Sequence, residues 1–139
     1  MVVYLAASWT RRNEIKMVAT YLRAAGIEVR ARWLDEEPVP ADPDRERFLI
    51  HRATEDVEDV LACDVLVRFT DDLTAPTVPS RLATGARMFE MGLAWGAGKQ
   101  IVVVGGHQCI FDHLPVNITH VRDVQELKNY LLSGSKYAQ

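Results

Sequence analysis

The sequence predicts an α/β protein, a parallel sheet with helices packed on both faces. Three observations carry that expectation. Short runs at Val2–Ala6, Asp64–Phe69 and Ile101–Val104 are rich in Val, Ile and Leu, as strands covered on both faces are. Longer stretches with apolar residues at helical spacing separate them, giving the strand–helix alternation of crossover units. The composition, 139 residues with 48% hydrophobic and 25% charged, is that of an ordinary globular chain long enough to bury a core.

In chain order, Val2–Ala6 reads as a buried strand, and Ala7–Thr10 as a turn whose Ser8 or Thr10 can cap the next helix. From Arg11 to Ala25, Ile15, Val18, Ala19 and Leu22 recur at helical spacing until Gly26 stops them. Ile27–Trp33 alternates apolar and charged residues as a strand with one wetter face. Asp35–Asp44, with three prolines, is a loop of the length that serves as a lid or pocket wall. Helical spacing resumes over Arg45–Cys63, with Arg52, Asp56 and Asp59 assigned to wet faces and a possible break near Thr54. After the third strand, Thr70–Leu82 is a second long loop. A helix from Gly85 to Ala97 follows, then the Ile101–Val104 strand, a His107–Pro115 loop, a strand at Val116–Val121 and a helix over Asp123–Leu132 capped by Asp123.

With the first strand central, the order is 2-1-3-4-5: a flavodoxin-like three-layer sandwich with a five-stranded parallel sheet. Residues 1–132 make one expected domain and 133–139 a frayed tail. Such sheets bind ligands beyond the carboxyl ends of their strands, at the switch point. Chemistry is therefore expected at Ser8–Arg12, Trp33–Asp35, Thr70–Asp72 and Thr84–Glu90.

Several classes are disfavoured. A formal charge of −3 gives no reason to expect a nucleic acid or an anionic membrane as partner. Cys63 and Cys109 lack metal-ligand spacing and read as free thiols of a reducing, cytoplasmic setting. Val2–Ala7 is too short for a signal-peptide core, and no run reaches membrane-spanning length. The first strand lacks a Gly-rich phosphate loop, the four histidines are scattered, and Ser8, His107 and Asp71 come without a nucleophile elbow. No metal and no cofactor is implied.

The helix at Gly85–Ala97 is apolar on every face, with only Arg87 and Glu90 charged between Ala86 and Ala97. Such a helix is covered on two sides, by its own sheet and by a second subunit. Glu90 shares its face with Ala86, Leu93, Ala94 and Ala97, where a carboxylate is costly unless it is paired or used. Pairing with Arg87 is the structural alternative. Asp71 and Asp72 after the third strand can face Glu90 across the switch point, and paired carboxylates about a sugar carbon are equipment for glycosidic cleavage. A solvated turn is the alternative for that pair.

These residues carry a resemblance. Val3–Ser8, Val65–Asp71 (with Thr70 before the acid) and Gly85-Ala86-Arg87-Met88-Phe89-Glu90-Met91-Gly92 with Gly98-Lys99 resemble the opening strand, the third strand and carboxylate, and the nucleophile helix of the nucleoside 2-deoxyribosyltransferase family, including its nucleotide N-hydrolase relatives. The similarity spans Val2 to about Val121. It implies cleavage of the N-glycosidic bond of a 2′-deoxynucleoside through a covalent glycosyl-Glu90, resolved by an acceptor base or, as the alternative, by water. Asp71 would bond or protonate the leaving base, with Asp72 second; Tyr4 would orient Glu90; Trp9 and Trp33 would stack on the base. Two departures stand out. Thr84 occupies the place of an aspartate six residues before the nucleophile, leaving a hydroxyl for a sugar oxygen. The Ser8–Arg12 turn is basic, so Arg11 or Arg12 could hold a 5′-phosphate. The alternative of another class is a non-catalytic nucleotide-binding module on the same fold. The resemblance also implies a homo-oligomer with shared sites, Asn117 being the residue nominated for loan to the neighbour.

Overall fold

The computed structural model describes residues 1–41, 43–71 and 84–137. Five strands form one all-parallel sheet: β1 (Val2–Ala6), β2 (Glu28–Val29), β3 (Val65–Phe69), β4 (Gln100–Val104) and β5 (Ile118–Val121), in the order β2-β1-β3-β4-β5. The helices are α1 (Arg12–Ala24), α2 (Arg45–Ala62), α3 (Thr84–Gly96) and α4 (Val124–Tyr137). α2 packs on α3 on one face, while Tyr21 of α1 donates to Gln125 of α4 (2.7 Å) on the other. This is the flavodoxin-like three-layer sandwich.

The central strands are long apolar runs because both of their faces are covered. Val3, Leu5, Leu66, Val67, Ile101, Val102 and Val103 are wholly buried. Register pairs Val3 with Val65 and Ala6 with Arg68, then Phe69 with Val104. The carboxyl ends of β1 and β3 thus lie side by side, where the strand order reverses. Gly26 ends the first crossover helix at φ +84°, a conformation that spares a side chain's strain only for glycine.

The structure departs from the sequence reading at several boundaries. The second strand keeps only Glu28–Val29. The chain then turns through Arg32–Asp35, because Trp33 folds inward to donate to Leu5 O (2.8 Å) and Asp59 draws in Arg30 and Arg32. α2 is unbroken at Thr54, whose hydroxyl donates back to Ile50 O instead of capping a new helix. Ser8 and Thr10 bond each other (2.9 Å) and cap nothing, whereas Asp123 does cap α4. α4 runs on past Leu132 to Tyr137, so the expected frayed tail is helical over most of its length. β5 starts after Asn117, which takes the turn at φ +62°. Among the described residues no helix is long and apolar enough to cross a membrane.

Candidate active site

A cavity of about 380 Å³ opens beside the carboxyl end of β1, between the Asp35–Asp44 loop and the helix pair α2–α3. Its wall is built from Trp9, Trp33, Glu36, Arg52, Asp56 and Glu90, with Pro38 and Val39 of the loop closing one side. The loop is thus the pocket wall its length foretold. Trp33 is fixed by its indole bond to β1. Trp9 lies 6.4 Å from it and carries the Arg12 guanidinium on its face at 4.5 Å and that of Arg52 at 5.5 Å. Two aromatic rings set in a polar-floored chamber of this size suit one flat heterocyclic ligand.

The floor is electrostatically unusual. Burial pushes the Glu90 carboxyl up to about 7; the nearby Tyr4 phenol works against that rise, and the charge of Asp56 adds to it. Burial likewise raises Asp56 to about 7, reinforced by Glu36, Asp59 and Glu55 and opposed by Arg52. Glu36 is raised by burial despite Arg52 at 3.1 Å. Tyr4 is held far above its ordinary value by burial and by the Glu90 charge. Tyr4 and Glu90 stand near enough to shift each other's ionisation, yet neither Tyr4 Oη nor Glu90 Oε2 has an aligned hydrogen-bond partner. Two carboxyls titrating near neutrality in one chamber can divide one proton and one charge between them.

The other expected site residues are placed differently. Arg87 does not pair with Glu90. Fully buried, it reaches back to donate to Phe69 O (3.2 Å) and to Asp71 Oδ2 (2.8 Å). Asp71 Oδ1 takes Arg11 at 3.5 Å, and Arg11 also bonds Thr70 O and Glu14. The Thr70 hydroxyl turns to Val104 O. Thr70, Asp71 and Arg11 line a second cavity of about 550 Å³ beyond β3 and β4, and none of the three is among the residues lining the chamber that holds Glu90. Arg12 donates to Glu36 O and packs on Trp9, bracing the aromatic wall. Ser8 is buried at the end of β1. Gly85 is exposed in the first turn of α3; Asn117 is exposed at the other edge of the sheet. Asp72 and the Thr84 side chain lie outside the described residues.

Asp56, Arg52 and Glu36 are the site residues that the sequence reading missed. Arg52, Asp56, Asp59 and Val60 recur at i, i+4, i+7 and i+8, one stripe of α2. That stripe faces inward: Arg52 is only 9% exposed and Asp59 not at all. Assigning these charges to wet faces was a misreading, since Asp59 is satisfied by Arg30 (2.8 Å) and by the Arg32 backbone (3.0 Å), far away in sequence. A polar stripe aligned with a buried Val was the available signal. His107 stacks against both His113 (4.4 Å) and His120 (4.2 Å), and among the described residues no His, Cys, Asp or Glu group is arranged around an ion. Both cysteines are free.

No protein-family model and no curated protein matches the sequence. Solved structures do match the fold. A CMP N-glycosidase, BcmB, from Clostridium botulinum is 17% identical with a TM-score of 0.59, over 94% of this chain and 98% of that one. A 2-deoxyribosyltransferase from Bacillus psychrosaccharolyticus is 14% identical at a TM-score of 0.64, over 94% and 92%. The chain has their fold. A conserved protein from Enterococcus faecalis V583 has it too, at 16% identity and a TM-score of 0.61, over 96% and 98% of the two chains. At such identities the likeness carries the fold and its topology, and the chemistry must be argued from the chamber itself.

Proposed function

We propose that the protein cleaves the N-glycosidic bond of a 2′-deoxynucleoside, with Glu90 as nucleophile and an acceptor base resolving the glycosyl-enzyme. One observation carries this reading: a carboxyl with an unpartnered oxygen, pushed up to about 7 by burial, opens onto a chamber walled by Trp9 and Trp33. A carboxylate stripped of water is a stronger nucleophile, and one without a cationic partner has its charge free for an oxocarbenium-like carbon. Attack at the anomeric carbon forms an ester with Glu90; a second base, or water in the hydrolytic alternative, attacks the same face and retains configuration. The acts named for the two fold neighbours, deoxyribosyl transfer and N-glycosidic cleavage of CMP, are of this chemical kind.

Asp71, bridged by Arg87 and Arg11, fits a role in fixing the start of α3 better than a direct hand in the reaction. Arg11 and Arg12 already have partners in Glu14, Asp71 and Glu36, which favours a neutral nucleoside over its monophosphate. Glu90→Ala and Glu90→Gln should each lose about 3 kcal/mol or more of transition-state stabilisation, a hundredfold or greater fall in kcat/KM, with the fold intact. Mass spectrometry of acid-quenched wild type should find a deoxyribosyl adduct on the peptide bearing Glu90. Near-normal turnover by either variant would overturn the assignment. Incubating each natural deoxynucleoside with excess free base separates transfer, which yields a new nucleoside, from hydrolysis.

We further propose that the protein works as a homo-oligomer. α3 exposes Phe89 and Trp95 beside an apolar cavity of about 500 Å³ lined by Met88, Met91, Phe111 and Leu114, a patch that association would bury.

A further inference from the structure

We propose that the preferred donor is a deoxynucleoside whose base is a cation, as N-methylation makes of guanine at N7 or of cytosine at N3. The inference rests on the glycosidic reading of Glu90 and names the substrate class of that same chamber.

The first observation is a surplus of acids. Among the described residues, three buried carboxylate oxygens lack a hydrogen-bond partner: Glu36 Oε1, Asp56 Oδ1 and Glu90 Oε2. They come from the loop, from α2 and from α3, and all three residues line one chamber. Elsewhere the fold pairs the carboxylates it buries. Asp59 takes Arg30 and Arg32, Asp112 takes Arg68 in two bonds, and Asp71 takes Arg87. In the chamber a single guanidinium, Arg52, lines the wall, 3.1 Å from Glu36. Three acids against one base leave room for a positive charge that the protein does not itself provide.

The ionisation of the wall agrees. Burial raises Glu36, Asp56 and Glu90 alike, and Arg52 offsets the rise at neither Glu36 nor Asp56. Glu55 and Asp59 of α2 add to it at Asp56, while Tyr4 faces Glu90. A cation among these groups relieves their repulsion and draws each carboxyl back towards its ordinary range, whereas a phosphate would push them higher.

The second observation is the aromatic side of the same wall. Trp9 and Trp33 stand 6.4 Å apart, and Trp9 already holds the Arg12 guanidinium on its face at 4.5 Å. A methylated base is, like guanidinium, a flat delocalised cation, the kind of group an indole face attracts. The cavity of about 380 Å³ has the volume for one such nucleoside.

The step balances without a proton donor. Glu90 Oε2 bonds to the anomeric carbon as the bond to the base nitrogen breaks. The electron pair of that bond neutralises the base, which departs uncharged. An acceptor base or water then attacks the anomeric carbon, yields a proton to solvent and releases the Glu90 carboxylate. In the transition state the positive charge passes from base to sugar and stays among the same carboxylates.

The test compares ligands of one shape with and without the charge, by calorimetric titration of Glu90→Gln at pH 6.5, where turnover does not interfere. The pairs are 7-methyl-2′-deoxyguanosine with 7-methyl-7-deaza-2′-deoxyguanosine, and 3-methyl-2′-deoxycytidine with 3-methyl-2′-deoxyuridine. The cationic member should bind about tenfold tighter or better in at least one pair. Binding of 3-methyl-2′-deoxycytidine should also release protons, read from titrations in two buffers of unlike ionisation enthalpy, and its neutral partner should release none. On wild type, kcat/KM for a cationic donor should exceed that for each of the four natural deoxynucleosides, after subtraction of spontaneous base loss. Equal or weaker binding of the cation in both pairs, no proton release, or turnover of natural donors alone would overturn the cationic preference and leave Glu90 in place. Wild type inactive on every donor, natural and methylated, would instead overturn the glycosidic reading and this inference with it.

Discussion

Glu90 owes its character to a bond it does not make. Arg87 stands one turn away, at the spacing of an intrahelical ion pair, and such a pair would hold the carboxylate in its ordinary range. The guanidinium is spent instead on Phe69 O and Asp71, tying the start of α3 to the end of β3. Glu90 is left with burial, a phenol and a second carboxyl, and rises to about 7. That rise makes the site a load on the fold. The folded state holds the Glu90 proton more tightly than the unfolded chain, so stability falls as pH climbs from about 4.5 to about 7 and then levels. Glu90→Gln removes the titration. It should therefore stabilise the protein above pH 7, by on the order of 1–2 kcal/mol, with little effect near pH 4. Thermal melts of both proteins from pH 4 to 8 check this, and a gain independent of pH would contradict it.

At the scale of elements, what was legible was whatever periodicity encodes. Apart from Arg68 and Gln100, β1, β3 and β4 are apolar throughout because both faces are covered, and α1 repeats Ile15, Val18, Ala19 and Leu22 on one side. Glu90 was legible because it interrupts such a pattern. Asp56 was not, because α2 carries many charges and only tertiary contacts decide which of them turn inward. The second strand was overread for the same reason: its alternation is real, but Asp59 pulls Arg30 and Arg32 out of register. The Ile110–His113 turn hides another such case. Asp112 meets Arg68 of β3 in a two-pronged pair at 2.6 and 2.7 Å, both side chains fully buried, with Gln108 N–H donating to the same carboxylate. Burial alone would raise Asp112; the Arg68 bonds overcome it and hold the group down at about 2. Asp112→Asn leaves a guanidinium buried without its anion and should destabilise by about 3–5 kcal/mol. In wild type the pair's contribution is complete above pH 4 and fades as pH falls towards 2. Urea titrations of the variant and of wild type at pH 7 and pH 3 measure both effects.

For the molecule as a whole, the unfinished surface is the outer side of α3. Phe89 is 64% exposed, Phe111 59% and Val116 58%, around the apolar hollow between α3 and the turn after β4. Trp95 bridges the patch to the start of β5 by donating to Val116 O (3.1 Å), which sets Asn117 beside the carboxyl end of α3. A two-fold axis that lays α3 antiparallel on its copy buries this patch from both sides. We propose that in such an assembly the partner's Asn117 is lent to the chamber that Glu90 lines. The exposed position and left-handed turn of Asn117 also suit a plain turn residue, so the loan needs its own measurement. Sedimentation at micromolar concentration should show a dimer or larger assembly, and Phe89→Lys should shift it to monomer and reduce activity. A fully active monomer of 15.7 kDa would defeat the oligomer. For the loan, Glu90→Ala and Asn117→Ala should each be inactive alone and regain up to about a quarter of wild-type activity when mixed and allowed to exchange, because a mixed dimer rebuilds one intact site. Full activity of Asn117→Ala by itself would return that residue to the turn and leave each chamber complete within its own chain.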